Sequence, residues 1–381
     1  MNVKPNIDLE EHRLGSLDGL RGLMSLWVVV GHVCAFSGFN SIPVIRSPHY
    51  AVDGFMILSG FLMAYHYTLR EKKEPWTSWR TWLAFYIRRF FRISPLYYLL
   101  LIPAYLFCGY FFHFGTVVAE SVARSDPPPY PGTIDITHIG LRLTYLFGLF
   151  PKYHNVLVVP DWSLSLEMQF YFVFPFLMLA ARRFGWAAFA VVATGIWLIA
   201  HLPWLGYAQQ FTQNSPLPLS LVWFAVGMVW ARAIAVRGAE RTRWALLGAA
   251  LSLVSLDPHD IILVAVFAWV LFSHGKLSFG KSALFARRLL SGKVSHLLAE
   301  ASYSVYLVHL MILVPVSYFV CTRMHFGVGV RFILYLSITC LISYSLAVPF
   351  HWIERMGIKI GKQLSGGVVS KPEGQAVAVG D

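Results

Sequence analysis

What most limits this chain is a recurring apolar run about 20 residues long, the length that crosses the hydrocarbon core of a bilayer as a helix. Ten such runs fall along the 381 residues, roughly at 17–38, 51–69, 90–112, 162–181, 185–204, 217–236, 244–257, 259–274, 297–320 and 330–352. Charged residues make up only 13% of the chain, against about 25% in a soluble domain. The expectation is an all-α polytopic membrane protein with about ten transmembrane helices. A further run at 138–150 (HIGLRLTYLFGLF) is too short for a comfortable crossing and contains Arg142. It reads as one short re-entrant or interfacial helix.

The basic residues set the orientation. With the N-terminus in the cytoplasm, 25 of the 31 lysines and arginines fall in inside segments, as the positive-inside rule requires. Both termini are then cytoplasmic. Counting 138–150 as a full span would invert the later loops and put their cations outside. The formal net charge of +12 follows from this topology and calls for no nucleic-acid partner.

Residues 1–16 read as a polar cytoplasmic segment with no cleavable signal peptide. Residues 17–357 read as the membrane domain, and 358–381 as a disordered cytoplasmic tail rich in Gly, Ser and Val. The longest outside loop, about 113–137, contains SDPPPYPG, whose prolines favour an extended structured loop. Cys34, Cys108, Cys321 and Cys340 lie in or beside apolar runs without a CxxC pair. They read as membrane-embedded thiols, with no metal site expected. No P-loop, dinucleotide fingerprint or GxSxG motif occurs, which argues against nucleotide-driven chemistry and a nucleophile-elbow hydrolase.

Chemistry concentrates in four places. In LDGLRGLMSLWVVVGHV, Arg21 and His32 are eleven residues apart, about three helical turns and about 16 Å of rise, so a helix points both the same way. His32 would lie deep in hydrocarbon, where an ionisable group is costly unless it faces a polar cavity. Asp53, near the outer end of the second run, and Glu167, one to two turns into the fourth, could converge with it. A carboxylate behind a buried imidazole orients it for general-base or nucleophilic work. Two readings stand for each acid: Asp53 as helix cap or catalytic group, Glu167 as structural partner for tyrosines or an arginine or as a site residue. In YIRRFFRISPLYY, Arg88 and Arg92 share a helical face with Arg89 alongside. A topology anchor is the simpler reading, a phosphate site the sharper one. In ASYSVYLVHLMILVP, Tyr306 and His309 share a face with Tyr303 one turn earlier. His309 could pair with Glu167, line a tunnel or bond a neighbouring helix.

These segments, in this order, resemble the membrane acyltransferase-3 family, which includes O-antigen, exopolysaccharide, nodulation-factor and macrolide O-acyltransferases. The matching pieces are LDGLRG with R-x10-H (Arg21, His32), VDGFMILSGFL (Asp53, Ser59), IRRFFRISPLYY, DWSLSLEMQFYFVFP (Trp162, Ser163, Glu167, Tyr171), SYSVYLVH and HWIER at 351–355. They cover about 16 to 357. One departure is Gly-Phe-Met at 54–56, where the family has Phe-Phe after the Asp.

The resemblance implies transfer of an acyl group, usually acetyl, from a coenzyme A thioester to a hydroxyl of a glycan or similar acceptor, in a bacterial inner membrane. It assigns Arg21, Arg88, Arg89 and Arg92 to the phosphates of a cytoplasmic acetyl-CoA, which serves as co-substrate and not as a resident cofactor. It assigns catalysis to His32 with Asp53 and Glu167, as general base in a ternary complex or as acyl acceptor. Tyr303, Tyr306, His309, Trp162 and Ser163 would line the substrate tunnel, and outer-loop aromatics such as Tyr130 and Tyr153 could stack sugars. A proton-coupled transporter or flippase of a glycan lipid is the competing class, since buried His, Asp, Glu and Arg fit a proton pathway too. It lacks the inverted repeats and paired broken helices expected of one.

Overall fold

The computed structural model describes residues 7–41, 43–123, 134–272 and 289–369. Among these residues all regular structure is helical. The α-helices are α1 (Ile7–Ser37), α2 (His49–Arg70), α3 (Trp79–Leu106), α4 (Cys108–Ser121), α5 (Ile136–Leu143), α6 (Trp162–Phe184), α7 (Trp186–Ala200), α8 (Leu217–Ala235), α9 (Gly238–Leu251), α10 (Pro258–Phe272), α11 (Lys293–Arg323) and α12 (Val328–Val369).

Five helices are long and apolar enough to cross a membrane: the Gly15–Ser37 part of α1, α6, α8, α11 and nearly all of α12. The bent pair α3–α4 makes a sixth if taken as one span. The chain is thus a multi-pass membrane protein, with fewer self-evident crossings than the ten apolar runs. α2, with 22 residues, is long enough but too polar, carrying His49, Asp53, His66 and Arg70. For the others the reason is length: α7 and α10 have 15 residues each and α9 has 14. At about 1.5 Å per residue they fall short of a hydrocarbon core about 30 Å thick.

Three boundaries differ from expectation. α1 begins at Ile7, within the segment read as a polar N-terminal extension. The run at 90–112 is not one straight helix: α3 stops at Leu106, three residues after Pro103, and α4 leaves at 74°. Proline removes a helix hydrogen bond at such a point. α4 also occupies the start of the expected outer loop. The SDPPPYPG segment with Tyr130 lies outside the described residues. The expected disordered tail is corrected as well, because α12 continues to Val369. Gly357 makes this possible: a Cβ there would run into the Phe91 carbonyl of α3, so the glycine lets the two helices close on each other. Residues 370–381 lie outside the described residues.

α2 packs along α8, α1 along α11, and α3 along α12, while α11 joins α12. The α2–α8 seam is the tightest. A Cβ at Gly60 would strike the Phe224 carbonyl, so the backbones approach where only glycine fits. α5 is held by charge. Arg142, fully buried, pairs with Asp161 immediately before α6. Tyr97 donates to the same carboxylate at 2.9 Å, and Arg142 donates to the Tyr153 carbonyl at 3.1 Å. These bonds offset much of the desolvation of the buried pair, while Arg142 Nε has no acceptor among the described residues. The pair also fixes the start of α6, which carries Ser163 and Glu167. All four cysteines are free thiols, with Cys34 and Cys108 buried.

Candidate active site

His32 stands against α11. Its Nδ1 lies 2.9 Å from the Val28 carbonyl and 3.1 Å from Nε2 of His309. His309 is fully buried, with Nδ1 2.8 Å from the Tyr306 carbonyl and 3.2 Å from that of Val305. A carbonyl can only accept, so the network assigns the proton to Nδ1 in both rings. His309 then accepts through Nε2 from His32, and Nε2 of His32 carries the basic lone pair. Where the sequence leads one to expect a carboxylate behind His32, the structure places a second imidazole. Of the readings open for His309, bonding to a neighbouring helix is the one observed.

The two acids lie elsewhere. Asp53 is the fifth residue of α2, whose N-cap is Pro48, so it is past the capping position. It is buried, and the charges acting on it are Asp260 and Asp257. Asp257 belongs to a polar cluster at the α10 end, taking the Tyr50 hydroxyl at 2.7 Å and His259 Nδ1 at 2.9 Å. Burial works to raise the Asp257 carboxyl, but these bonds prevail and hold it below the usual carboxylate range. Glu167 accepts from the Tyr171 hydroxyl, and from Ser59 Oγ at 3.2 Å.

Glu167 opens instead on a cavity of about 330 Å³ enclosed by α1, α2, α3, α6, α11 and α12. Three guanidinium groups line it (Arg21, Arg89 and Arg92), together with three carboxylates (Asp18, Glu167 and Glu354). Arg21 donates to Asp18 at 2.7 Å, but its Nε is buried with no acceptor among the described residues. Arg89 sits over the Tyr171 ring, 5.3 Å from its centroid. Glu354 accepts from Ser304. Along α11 the lining consists of Ser302, Tyr303 and Tyr306, and it stops one turn short of His309. At that end Ser163 and Tyr306 meet hydroxyl to hydroxyl at 2.6 Å, and the Tyr306 and His309 rings are 6.2 Å apart. Tyr303 also donates to the Ile93 carbonyl at 2.6 Å.

The structure therefore brings together Arg21, Arg89, Arg92, Glu167, Ser163, Tyr303 and Tyr306 around one cavity, with His309 and His32 behind Tyr306. Three expected members stand apart: Asp53, placed above, and Arg88 and Trp162. Arg88 is outside the lining and donates to Glu74 at 2.5 Å and to the Tyr67 hydroxyl at 2.9 Å. Helical spacing sets Arg92 between Arg88 and Arg89 in direction, so it is the bonds to Glu74 and Tyr67, not helix phase, that hold Arg88 out of the lining. Trp162 is half-buried and packs on the hydrophobic core outside the lining. Sequence reasoning missed Asp18, Glu354 and the Arg142–Asp161 pair. Each had a signal, since Asp18 is one turn from Arg21, Glu354 sits in HWIER, Arg142 interrupts the apolar run 138–150 and Asp161 directly precedes the run at 162–181.

Comparison with known proteins gives the family. The acyltransferase-3 family model, described as an acyltransferase domain, matches residues 14–349. The chain belongs to that family. It is 28% identical over 231 residues to acyltransferase MdmB of Streptomyces mycarofaciens, covering 56% of this chain and 52% of that protein. It is 33% identical over 155 residues to protein 2 in the picA locus of Rhizobium radiobacter, covering 40% of this chain and 75% of that one. It is 23% identical over 223 residues to nose resistant to fluoxetine protein 6 of Caenorhabditis elegans, covering 50% of this chain and 25% of that protein. The chain thus spans a quarter to about half the length of two of these relatives. No solved structure matches it.

Proposed function

We propose that this protein transfers an acyl group, most simply acetyl, from acyl-CoA to a hydroxyl of a glycan or related acceptor, in a bacterial inner membrane. The observation that carries this reading is the cavity with Arg21, Arg89 and Arg92 in its wall, ending at Tyr306 beside the His309–His32 pair. Guanidinium groups suit phosphates, and each charge-assisted contact is stronger than a neutral one. In this reading the chain crosses the membrane about ten times, short helices included, with both ends cytoplasmic. The donor enters from the cytoplasm with its phosphates on the three arginines and its thioester toward Tyr306. Arg88 braces the loop before α3 through Glu74 and takes no phosphate.

Direct transfer in a ternary complex is the simplest chemistry for this arrangement. Nε2 of His32 takes the proton of the acceptor hydroxyl as its oxygen attacks the thioester carbonyl carbon. The carbon–sulfur bond then breaks, and His32 returns the proton to the leaving thiolate. The test sets wild-type protein in nanodiscs beside His32→Ala, with isotopically labelled acetyl-CoA and a hydroxyl-bearing glycan acceptor. Thiol release in the wild type only, with donor binding kept in both, supports the proposal. Label held on wild-type protein through His32 would instead mean a two-step acyl-histidine route. Normal turnover by His32→Ala removes His32 from the chemistry. Absence of both binding and release moves a glycan-lipid transporter to the front.

A further inference from the structure

Ser163 and Tyr306 meet at the end of the cavity nearest His309. Both are buried, Ser163 at 4% and Tyr306 at 7% exposure. Ser163 lies in the first turn of α6, whose start the Arg142–Asp161 pair pins. Tyr306 is fixed on α11, one turn before His309, with its ring edge-on to Phe55 at 6.1 Å. Two hydroxyl groups bring two protons, and their mutual bond at 2.6 Å uses one. The second proton remains to be donated elsewhere, and both groups face the cavity. A phenol is the stronger donor of the two. The productive order is therefore Ser163 O–H to the Tyr306 oxygen, and Tyr306 O–H to whatever occupies the cavity's end; a hydroxyl chain of this kind polarises its last donor.

We infer that the Ser163–Tyr306 hydroxyl pair is the hydrogen-bond donor for the carbonyl oxygen of the bound thioester, which makes Tyr306 a catalytic residue and Ser163 its positioning partner. This rests on the acyl-CoA reading above. As the acceptor oxygen adds to the carbonyl carbon, the carbon–oxygen double bond becomes an oxyanion, and the Tyr306 bond strengthens. When the carbon–sulfur bond breaks, the double bond reforms and the bond relaxes. No proton leaves Tyr306. A fixed donor aimed where charge develops, in a dry site, typically contributes about 10²–10³-fold in rate.

The experiment uses the full chain in nanodiscs, wild type beside Tyr306→Phe and Ser163→Ala, each bound to acetyl-CoA labelled with carbon-13 at the carbonyl. Isotope-edited infrared spectroscopy reads the carbonyl stretch, and equilibrium binding reads affinity. The wild-type stretch is expected at lower wavenumber than that of free acetyl-CoA. It returns to the free value in Tyr306→Phe and part of the way in Ser163→Ala, with Kd within about threefold. Transfer falls by about 10²–10³-fold in Tyr306→Phe. A wild-type stretch equal to that of free acetyl-CoA overturns the inference without any variant, and so does an identical shift in wild type and Tyr306→Phe. Both results leave the donor reading standing. Failure of the wild type to bind acetyl-CoA overturns the donor reading, and this inference with it.

Discussion

His32 donates from Nδ1 to Nε2 of His309 across 3.1 Å, and the backbone carbonyls of Tyr306 and Val305 fix the direction of that bond from behind. The order runs from carbonyl to His309 to His32, so the basic nitrogen of His32 is Nε2. A second histidine here does the tautomer-setting work more often given to a carboxylate, without adding charge to the membrane interior.

His309→Ala removes one of two acceptors of the His32 Nδ1 proton and leaves the Val28 carbonyl at 2.9 Å, so the ring keeps its tautomer and loses its anchor on α11. One hydrogen bond contributes about 0.5–1.5 kcal/mol, so transfer is expected to fall by roughly 2–12-fold. His309→Gln keeps an acceptor oxygen in reach and restores much of the rate. Rate against pH for the three proteins checks this. A wild-type rate and profile in His309→Ala would remove His309 from the site.

The arginines divide by function. Arg21→Ala, Arg89→Ala and Arg92→Ala each raise the acetyl-CoA Kd about tenfold or more, at about 1.5–3 kcal/mol per charged hydrogen bond. Arg88→Ala leaves Kd within about twofold, because its guanidinium is committed to Glu74 and Tyr67. Equilibrium binding of labelled acetyl-CoA decides it, and a large Kd rise in Arg88→Ala would return Arg88 to the phosphate site.

Arg142→Met strands Asp161 in the interior. Breaking such a buried pair costs about 3–5 kcal/mol, read as a lower unfolding midpoint in detergent. The double variant Arg142→Met/Asp161→Leu recovers most of it, since no unpaired charge remains. Equal loss in the single and double variants would show that packing, not charge, holds α5.

His138 makes stability depend on pH. It lies on α5, 1% exposed, with Nδ1 3.0 Å from the Tyr105 hydroxyl. Burial, aided by the nearby Arg142 charge, lowers its pKa to about 4. Between that value and about 6.5 the unfolded chain binds a proton that the folded chain refuses. Stability therefore falls as the pH drops through this window. Unfolding midpoints at pH 7 and pH 5 should separate less in His138→Gln than in the wild type.

Much of this was written in the sequence, and the remainder had a physical reason to be hidden. Apolar run length announced the helices, and ordered motifs announced the family. Run length overcounted the self-evident crossings because α7, α9 and α10 are apolar yet short and α2 is long yet partly polar. Arg21 and His32 were legible as a pair because both lie on one helix. The His32–His309 bond was not, since 277 positions separate its partners. Periodicity could group Arg88, Arg89 and Arg92, but only packing could say that Arg88 faces Glu74. Asp53 and Glu167 look equivalent in sequence, and the fold sends one to the Asp257–Asp260 side and the other to the cavity.

Three guanidinium groups and three carboxylates share the cavity wall, so its formal charges balance. Such a chamber has little long-range pull on the abundant free nucleotides of a cell, unlike a bare basic cleft, which draws in any anion. On the acyl-CoA proposal, a donor would take its place by exchanging its own phosphates for Asp18 and its fellow acids at short range. Discrimination would then rest on the slender thioester arm, which reaches past the phosphates toward Tyr306 and which free nucleotides lack.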